Sequence, residues 1–421
     1  LASLRRSERI TAMLQCTLPY STYQPFCDDN SSSGIGDEMF FGREEEISSL
    51  TTDNPPCFVY GGRQLGKTTL LLRATNLCHK PELKEVAVYV DIKHCSTEDS
   101  FVEKIVQAIN SKLRASRISQ LSSNCKKISS LKTNIERLFG EGKLVSLFLL
   151  MDESDIYLDS ISKDNYSSLE DFIALKRSTH NKFRFVFAGL HNVSRAKNAA
   201  KNNSLLGQFG HPLCVRPLRY RDASNLLLRP LRYLGFKVAK YPYLDSILAN
   251  TNYYPGMIQF FGNILVQRSL IDKYNYRSNC DNPPFQLDRS QLSRVIASDS
   301  LNKSIQEKFV MSLQLDDRYL MLSKCITALY HINDNSNMIW MGFSIAEIKD
   351  MANILGVKIL ANEEHYEDLL NEMVDMGILE LSGSKYRLRR RAFVDMIGNS
   401  LEKIEHDVEE ANCEFDKKNG K

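Results

Sequence analysis

Five short apolar runs mark the first half of the chain. Polar residues scarcely interrupt them, so each reads as a strand covered on both faces. They are Cys57-Phe58-Val59-Tyr60, Val86 to Asp91, Leu144 to Met151, Phe183 to Gly189, and a shorter run at Leu213-Cys214-Val215. Between them apolar positions recur at helical spacing, as at Phe101, Ile105, Ile109 and Leu113. Strands that alternate with amphipathic helices predict a parallel sheet with helices packed on its faces. The first 34 residues predict a helix followed by a polar linker through Asp28-Asp29-Asn30-Ser31-Ser32-Ser33.

The pattern changes in the last third. Residues 274–286, rich in Asn and Ser and carrying Pro283-Pro284, predict a linker. Beyond it, Asp288 with Gln291 signals a helix start, and Leu320, Leu322, Ile326 and Leu329 lie along one helix over 316–330. Ser344 and Glu347 form a capping box, with Phe343 and Ile348 in the staple positions, so a helix is expected from 345. A further helix from His365 to Met376 leads into an apolar strand at Ile378 to Leu381. A Ser382-Gly383-Ser384 turn and a basic strand from Lys385 to Arg391 follow. Leu401, Ile404 and Val408 predict a last helix, packed back on this module or leading into a further region.

Composition narrows the class without naming it. A chain of 421 residues has room for two or three domains, and 43% hydrophobic with 25% charged residues is ordinary for a folded protein. Lys plus Arg number 54 against 51 for Asp plus Glu, too small a surplus to make the whole surface a nucleic-acid footprint. The ten cysteines include no Cys-x-x-Cys pair, which fits a reduced, cytoplasmic setting. No apolar run approaches the roughly 18 residues of a membrane span, so no membrane partner is expected. The first residue, Leu1, reads as a segment of a larger protein.

Chemistry enters at Gly61-Gly62-Arg63-Gln64-Leu65-Gly66-Lys67-Thr68, which follows the first strand and opens a helix at Thr69. The pattern is G-x-x-x-x-G-K-[ST]: glycines let backbone N–H groups approach phosphate oxygens, and the helix N-terminus favours the anion. Lys67 would hold the β- and γ-phosphates, and Thr68 would offer its hydroxyl to Mg2+. The run ending in Met151-Asp152-Glu153 supplies the acidic strand end such a loop needs. Asp152 would hold Mg2+ through water, and Glu153 would orient and deprotonate the attacking water. After the strand that ends at Gly189, Asn192 or His191 could read the γ-phosphate by hydrogen bond and Arg195 by charge, with Asn192 and Arg195 favoured.

With these residues in place the chain resembles the AAA+/STAND group of P-loop ATPases. Met39-Phe40-Phe41-Gly42-Arg43-Glu44-Glu45-Glu46-Ile47 is similar to the group's adenine-side element, which implies that Gly42 and Arg43 flank the base. Arg216-Pro217-Leu218 through Leu231 and Asn252 to Gln259 resemble segments of the group's small helical lid. The resemblance implies an α/β fold: a parallel-sheet P-loop NTPase core over 35–215 and a lid over 216–275, then an α+β winged-helix domain over 287–398. The segments 1–34 and 399–421 flank these.

It also implies a Mg2+-dependent ATPase, with ATP and Mg2+ as cofactors and a switch of the STAND type that answers an unidentified ligand or protein. Ring-forming members carry an arginine that reaches a neighbour's nucleotide. Arg184, Arg195, Arg216, Arg219 and Arg221 all stay open for that role, and with them a homo-oligomer. A second reading is a DNA-binding initiator or loader, with Lys385, Arg387, Arg389, Arg390 and Arg391 on phosphate. Against it, the helix that would enter the groove carries Glu367, Asp368, Glu372 and Asp375.

Overall fold

The computed structural model describes residues 6–18, 23–27, 36–122, 125–164, 166–190, 192–193, 195, 212–238, 241–275, 285–333, 342–361, 363–390 and 392–419. The chain falls into two compact units. A sheet unit comprises Arg43–Gly62 and Gly66–Val215, and a helical unit comprises Leu1–Gly42, Arg63–Leu65 and Arg216–Lys421.

The sheet unit has five strands: β1 (Phe58–Tyr60), β2 (Glu85–Asp91), β3 (Ser146–Asp152), β4 (Phe183–Gly189) and β5 (Leu213–Cys214). Their spatial order is β2-β3-β4-β1-β5, and every pairing is parallel. Central strands of such a sheet have no solvent face. Phe148, Leu149, Leu150, Phe185, Val186 and Phe187 are accordingly all 0–1% exposed.

In chain order the helices of this unit are α2 (Glu44–Leu50), α3 (Lys67–Cys78), α4 (Glu98–Ala115), α5 (Ile128–Gly140), α6 (Asp155–Ser162) and α7 (Glu170–Ser178), α1 being in the other unit. Helix α4 starts where Thr97 and Ser100 form a capping box. It buries Phe101, Ile105, Ile109 and Leu113, the positions whose spacing predicts it. Phe101 stacks on Tyr157 of α6 with ring centroids 3.8 Å apart. Phe172 of α7 meets Phe185 edge to face, so aromatic packing seals this face of the sheet.

The helical unit contains α1 (Arg6–Thr17), α8 (Tyr220–Tyr233), α9 (Tyr241–Asn250), α10 (Pro255–Asn275), α11 (Arg289–Ile296), α12 (Asp299–Leu313) and α13 (Asp317–Ile332). Then come α14 (Ile345–Ile354), α15 (Tyr366–Asp375), the hairpin β8 (Leu379–Ser382) and β9 (Lys385–Leu388), α16 (Ala392–Ile397) and α17 (Leu401–Asn419). Capping boxes at Asp288–Gln291 and Ser344–Glu347 open α11 and α14 at the places their sequences mark. Ile404 and Val408 of α17 are buried, and Lys324 of α13, itself only 5% exposed, donates to Asp407 of α17 at 2.5 Å.

Three expectations change. The linker read over 274–286 ends in structure: β7 (Phe285–Leu287) pairs in parallel with β6 (Phe236–Val238), and Phe285 packs on Phe236. The acidic face read on the 365–376 helix is also not all surface. Glu372 is 6% exposed and accepts a 2.7 Å hydrogen bond from the Tyr319 hydroxyl, which makes it part of the packing between α13 and α15. The basic strand ends at Leu388, so Arg389 and Arg390 lie beyond it, and Arg391 and His191 lie outside the described residues.

Candidate active site

In open parallel sheets ligands gather at the carboxyl ends of the strands. The chemistry-bearing residues of the sheet unit collect there. β1 runs into Gly61-Gly62, and Gly66, with φ +88, starts α3 in a left-handed conformation that glycine adopts without strain. A Cβ at Gly61 would lie 2.4 Å from the Val215 carbonyl oxygen, so the close approach of the chain leaving β5 requires glycine there as well.

Lys67, at the first turn of α3, is 8% exposed, and its Nζ donates to the carbonyls of Gly61 and Gly62 at 2.9 Å each. A buried ammonium is tolerated only when hydrogen-bonded, and these carbonyls hold it inside the loop. Thr68, one residue on, is exposed, and its hydroxyl donates to Asp152 Oδ2 at 2.6 Å. Loop and acidic strand therefore meet through a direct bond between residues 84 positions apart. Thr69, half-buried, follows on the same helix.

Asp152 is 1% exposed. Its second oxygen, Oδ1, accepts from the backbone N–H of Glu153 at 3.0 Å, while Oδ2 takes a further bond from the Tyr89 hydroxyl at 3.1 Å. Tyr89 stands on β2, opposite Leu150 of β3. Burial, then the neighbouring carboxylates of Asp152, Asp91 and Glu153, drive its ionisation far above the ordinary phenol range, so it is a neutral donor at any physiological pH. Glu153 is half-buried, with φ +54. That conformation costs a non-glycine residue about 1–2 kcal/mol and turns the chain sharply as it leaves the sheet.

Asp155 accepts from the backbone N–H of Leu190 at 2.6 Å and of Asn192 at 3.0 Å, and Asn192 Nδ2 donates back to the Asp155 carbonyl at 3.3 Å. Asn192 is thereby brought to the exit of β3. Arg195 lies near Tyr166, where its charge opposes the rise that burial and Asp159 impose on that phenol. Tyr89 and Asp155 are the participants that motif reading missed. The only signal for Tyr89 is its place two residues before the end of an adjacent buried strand, and Asp155 carries no role in the sequence beyond a superficial D-E-x-D likeness of residues 152–155.

The other sequence-marked residues have surroundings of their own. Arg43 is 6% exposed and pairs with Glu46 at 2.8 Å at the start of α2. Gly42 belongs to the helical unit, has φ +66, and leaves room for Asp222, whose Cβ a side chain there would meet at 2.3 Å. Arg63, Gln64 and Leu65 also group with the helical unit, where the Gln64 carbonyl accepts from the Gly256 N–H at 3.2 Å and Leu65 is fully buried. Of the candidate inter-subunit arginines, Arg184 lies near the amino end of β4. It donates to the Thr52 carbonyl at 2.9 Å and covers the Phe148 ring. Arg216 pairs with Asp375 at 3.7 Å within the helical unit.

The Walker-type ATPase of Pyrococcus abyssi superposes with a TM-score of 0.62, covering 88% of this chain and 99% of that one at 15% identity. The core has the fold of a P-loop ATPase. Two lower-scoring likenesses are a FIGL-1 AAA domain in complex with ADP and a Drosophila ORC structure bound to DNA. The first has a TM-score of 0.34 and 13% identity, over 72% of this chain and 96% of that one. The second has 0.31 and 14%, over 85% and 92%, and at such scores neither adds to the argument. No protein-family model matches the chain, and no curated protein matches it. Among the described residues, no helix of the P-loop fold or its helical unit is long and apolar enough to cross a membrane.

Proposed function

We propose that this chain binds ATP with Mg2+ at the carboxyl edge of its sheet and hydrolyses it slowly, as a molecular switch. The observation that carries the reading is the 2.6 Å bond between Thr68 and Asp152. A hydroxyl beside a phosphate loop and a buried carboxylate at a neighbouring strand end form an oxygen-only donor pair, the type a hard divalent cation takes together with phosphate oxygens and water. Thr68 and Asp152 are thus the residues that would hold Mg2+. The ion would supply charge neutralisation at the phosphoryl oxygens. Gly61, Gly62, Gly66 and Lys67 hold the phosphates, with Lys67 exchanging loop carbonyls for phosphate oxygens. Glu153 orients a water and accepts its proton, and Asn192 donates to the γ-phosphate.

A triphosphate makes contacts that a diphosphate cannot, and that difference in affinity is what lets hydrolysis shift the protein between two states. The helix, helix, hairpin order of α14, α15, β8 and β9 supports a winged-helix reading of the C-terminal module. Its residues favour a protein-contact role over DNA. Arg387 is engaged by Glu380 at 3.0 Å, Arg390 donates to Asn250 at 2.9 Å, and Arg389 lies over the Tyr254 ring.

Steady-state Mg-ATP turnover, with Glu153→Gln as blank and with or without duplex DNA, tests the proposal. Slow turnover that Glu153→Gln abolishes and duplex leaves unchanged is the expected result. Turnover equal in the two proteins would refute the catalytic assignment, and strong stimulation by duplex would replace the switch with a loader.

A further inference from the structure

We propose that Asp155 is a positioning residue of this nucleotide site, acting through Asn192 to set the discrimination between tri- and diphosphate. The inference rests on the nucleotide reading above and names a residue that no motif assigns.

The exits of β3 and β4 are adjacent, the last registered pair being Met151 with Phe187. Beyond that pair the strands are joined by side chains. The Ser154 N–H and hydroxyl both donate to the Ala188 carbonyl, at 2.9 and 2.5 Å. The Asp155 carboxylate then spans the next turn, one oxygen on Leu190 N–H and the other on Asn192 N–H, at 2.6 and 3.0 Å. A carboxylate that accepts two backbone N–H groups fixes the path of the main chain. The return bond from Asn192 Nδ2 to the Asp155 carbonyl, at 3.3 Å, fixes the direction of the side chain too.

Space has been left for this arrangement. A Cβ at Gly189 would lie 2.3 Å from Asp155 Oδ2 and 2.8 Å from Val193 Cγ2, so the carboxylate reaches the turn only because residue 189 has no side chain. On the other side, Glu153 keeps its left-handed backbone between two anchored neighbours, Asp152 through Oδ1 and Ser154 through Ala188. One clamp therefore holds both the residue proposed to activate water and the residue proposed to sense the γ-phosphate. A purely structural cap would stabilise the turn without needing the reciprocal bond from Asn192.

The test is a double-mutant cycle read by binding rather than by turnover. Affinities for ADP and for a non-hydrolysed ATP analogue are measured by calorimetry on the full chain for the wild type, Asp155→Asn, Asn192→Ala and the double variant. The expected result is a loss of triphosphate preference of about tenfold in each single variant, a size common for outer-shell partners, with ADP affinity held within about twofold. The double variant should lose no more than Asn192→Ala alone, because Asp155 is proposed to act on the phosphate only through the Asn192 side chain, which that change already removes. Gly189→Ala, which displaces the carboxylate while keeping the acid, should reproduce the loss and decides the matter should Asp155→Asn fail to fold. Ser154→Ala loosens the same clamp without touching Asn192; it should lower the melting temperature and keep the preference.

Unchanged preference in Asp155→Asn or Gly189→Ala overturns the inference, as does independent, multiplicative loss in the double variant or an equal loss in Ser154→Ala. A wild type that binds neither nucleotide overturns the nucleotide reading itself, and this inference with it.

Discussion

At the carboxyl end of β3 polar groups from distant parts of the chain point at one another: Thr68 and Tyr89 at one oxygen of Asp152, Glu153 N–H at the other, and Asn192 at Asp155. At the β8–β9 hairpin the density of charge is similar, but each described cation is matched by its own surroundings. Arg387 lies on Glu380, Arg390 on Asn250 and over the Phe393 ring, Arg389 over Tyr254, and Lys385 near enough to Glu347 to lower its pKa. Hydroxyls and carboxylates gathered at a loop can exchange one partner for a ligand oxygen. Partly buried guanidinium groups engaged by a carboxylate, an amide oxygen or an aromatic ring have given up part of the hydration that a phosphate backbone would use. A run of basic residues is thus weak evidence for nucleic acid until their partners are known.

Lys67→Ala is the largest predicted effect on nucleotide affinity. It removes the cation that both Gly61 and Gly62 carbonyls hold, and charge-assisted bonds to phosphate each contribute about 1.5–3 kcal/mol. Nucleotide affinity should fall on the order of 100-fold or more by calorimetry. Affinity at the wild-type level would mean that the loop is merely a structural turn, and the contrast between the two regions would collapse.

Glu153 comes next, with two substitutions that separate its roles. Glu153→Gln should keep nucleotide affinity and lower kcat by about 100- to 10,000-fold. Glu153→Gly should lose turnover equally and yet raise the melting temperature. Glycine releases the left-handed strain of about 1–2 kcal/mol, and its own entropy cost offsets only part of that. A lower melting temperature would show that the Glu153 side chain holds the fold rather than serving the site.

What could be read beforehand follows the range of the interactions. The loop 61–68, the β3 run and the capping boxes at 288 and 344 are set within a few residues, and their patterns carry them. Tyr89, Asp155 and Glu372 acquire their meaning from residues at separations of 63, 37 and 53, and nothing in their neighbourhoods marks them. β7 was taken for linker because three residues, Phe285-Gln286-Leu287, are too few to show a period, and their partner strand lies about as short at 236–238. The phosphate loop was also read as one element, whereas its middle, Arg63–Leu65, groups with the helical unit. Periodicity cannot report such a division, because it describes faces and not neighbours.

Arg390→Ala bears on the hairpin side of the comparison. Burial lowers the pKa of this guanidinium, so its bond to Asn250 and its stacking on Phe393 offset a real desolvation cost. Losing them should lower stability by about 1–3 kcal/mol in chemical unfolding, with any duplex affinity unchanged. An equal fold-loss of duplex affinity with little change in stability would return Arg390 to a nucleic-acid face.

The smallest effect concerns the cap beside the hairpin. Ser344 hydroxyl and N–H both donate to Glu347 Oε2 at 2.7 Å, and these bonds, with Lys385 nearby, hold the Glu347 carboxyl below its ordinary value. A lowered folded-state pKa means that the contribution is fully present above the ordinary carboxyl value of 4.5 and is lost as pH falls through the folded value. Ser344→Ala should cost about 1 kcal/mol at about pH 7, the usual worth of a serine cap. It leaves the N–H donor in place, so part of the shift survives. The difference in stability between variant and wild type should therefore shrink, without vanishing, as unfolding is measured down to about pH 3.5. A difference that stays constant across that range would mean that Glu347 is not coupled to the cap.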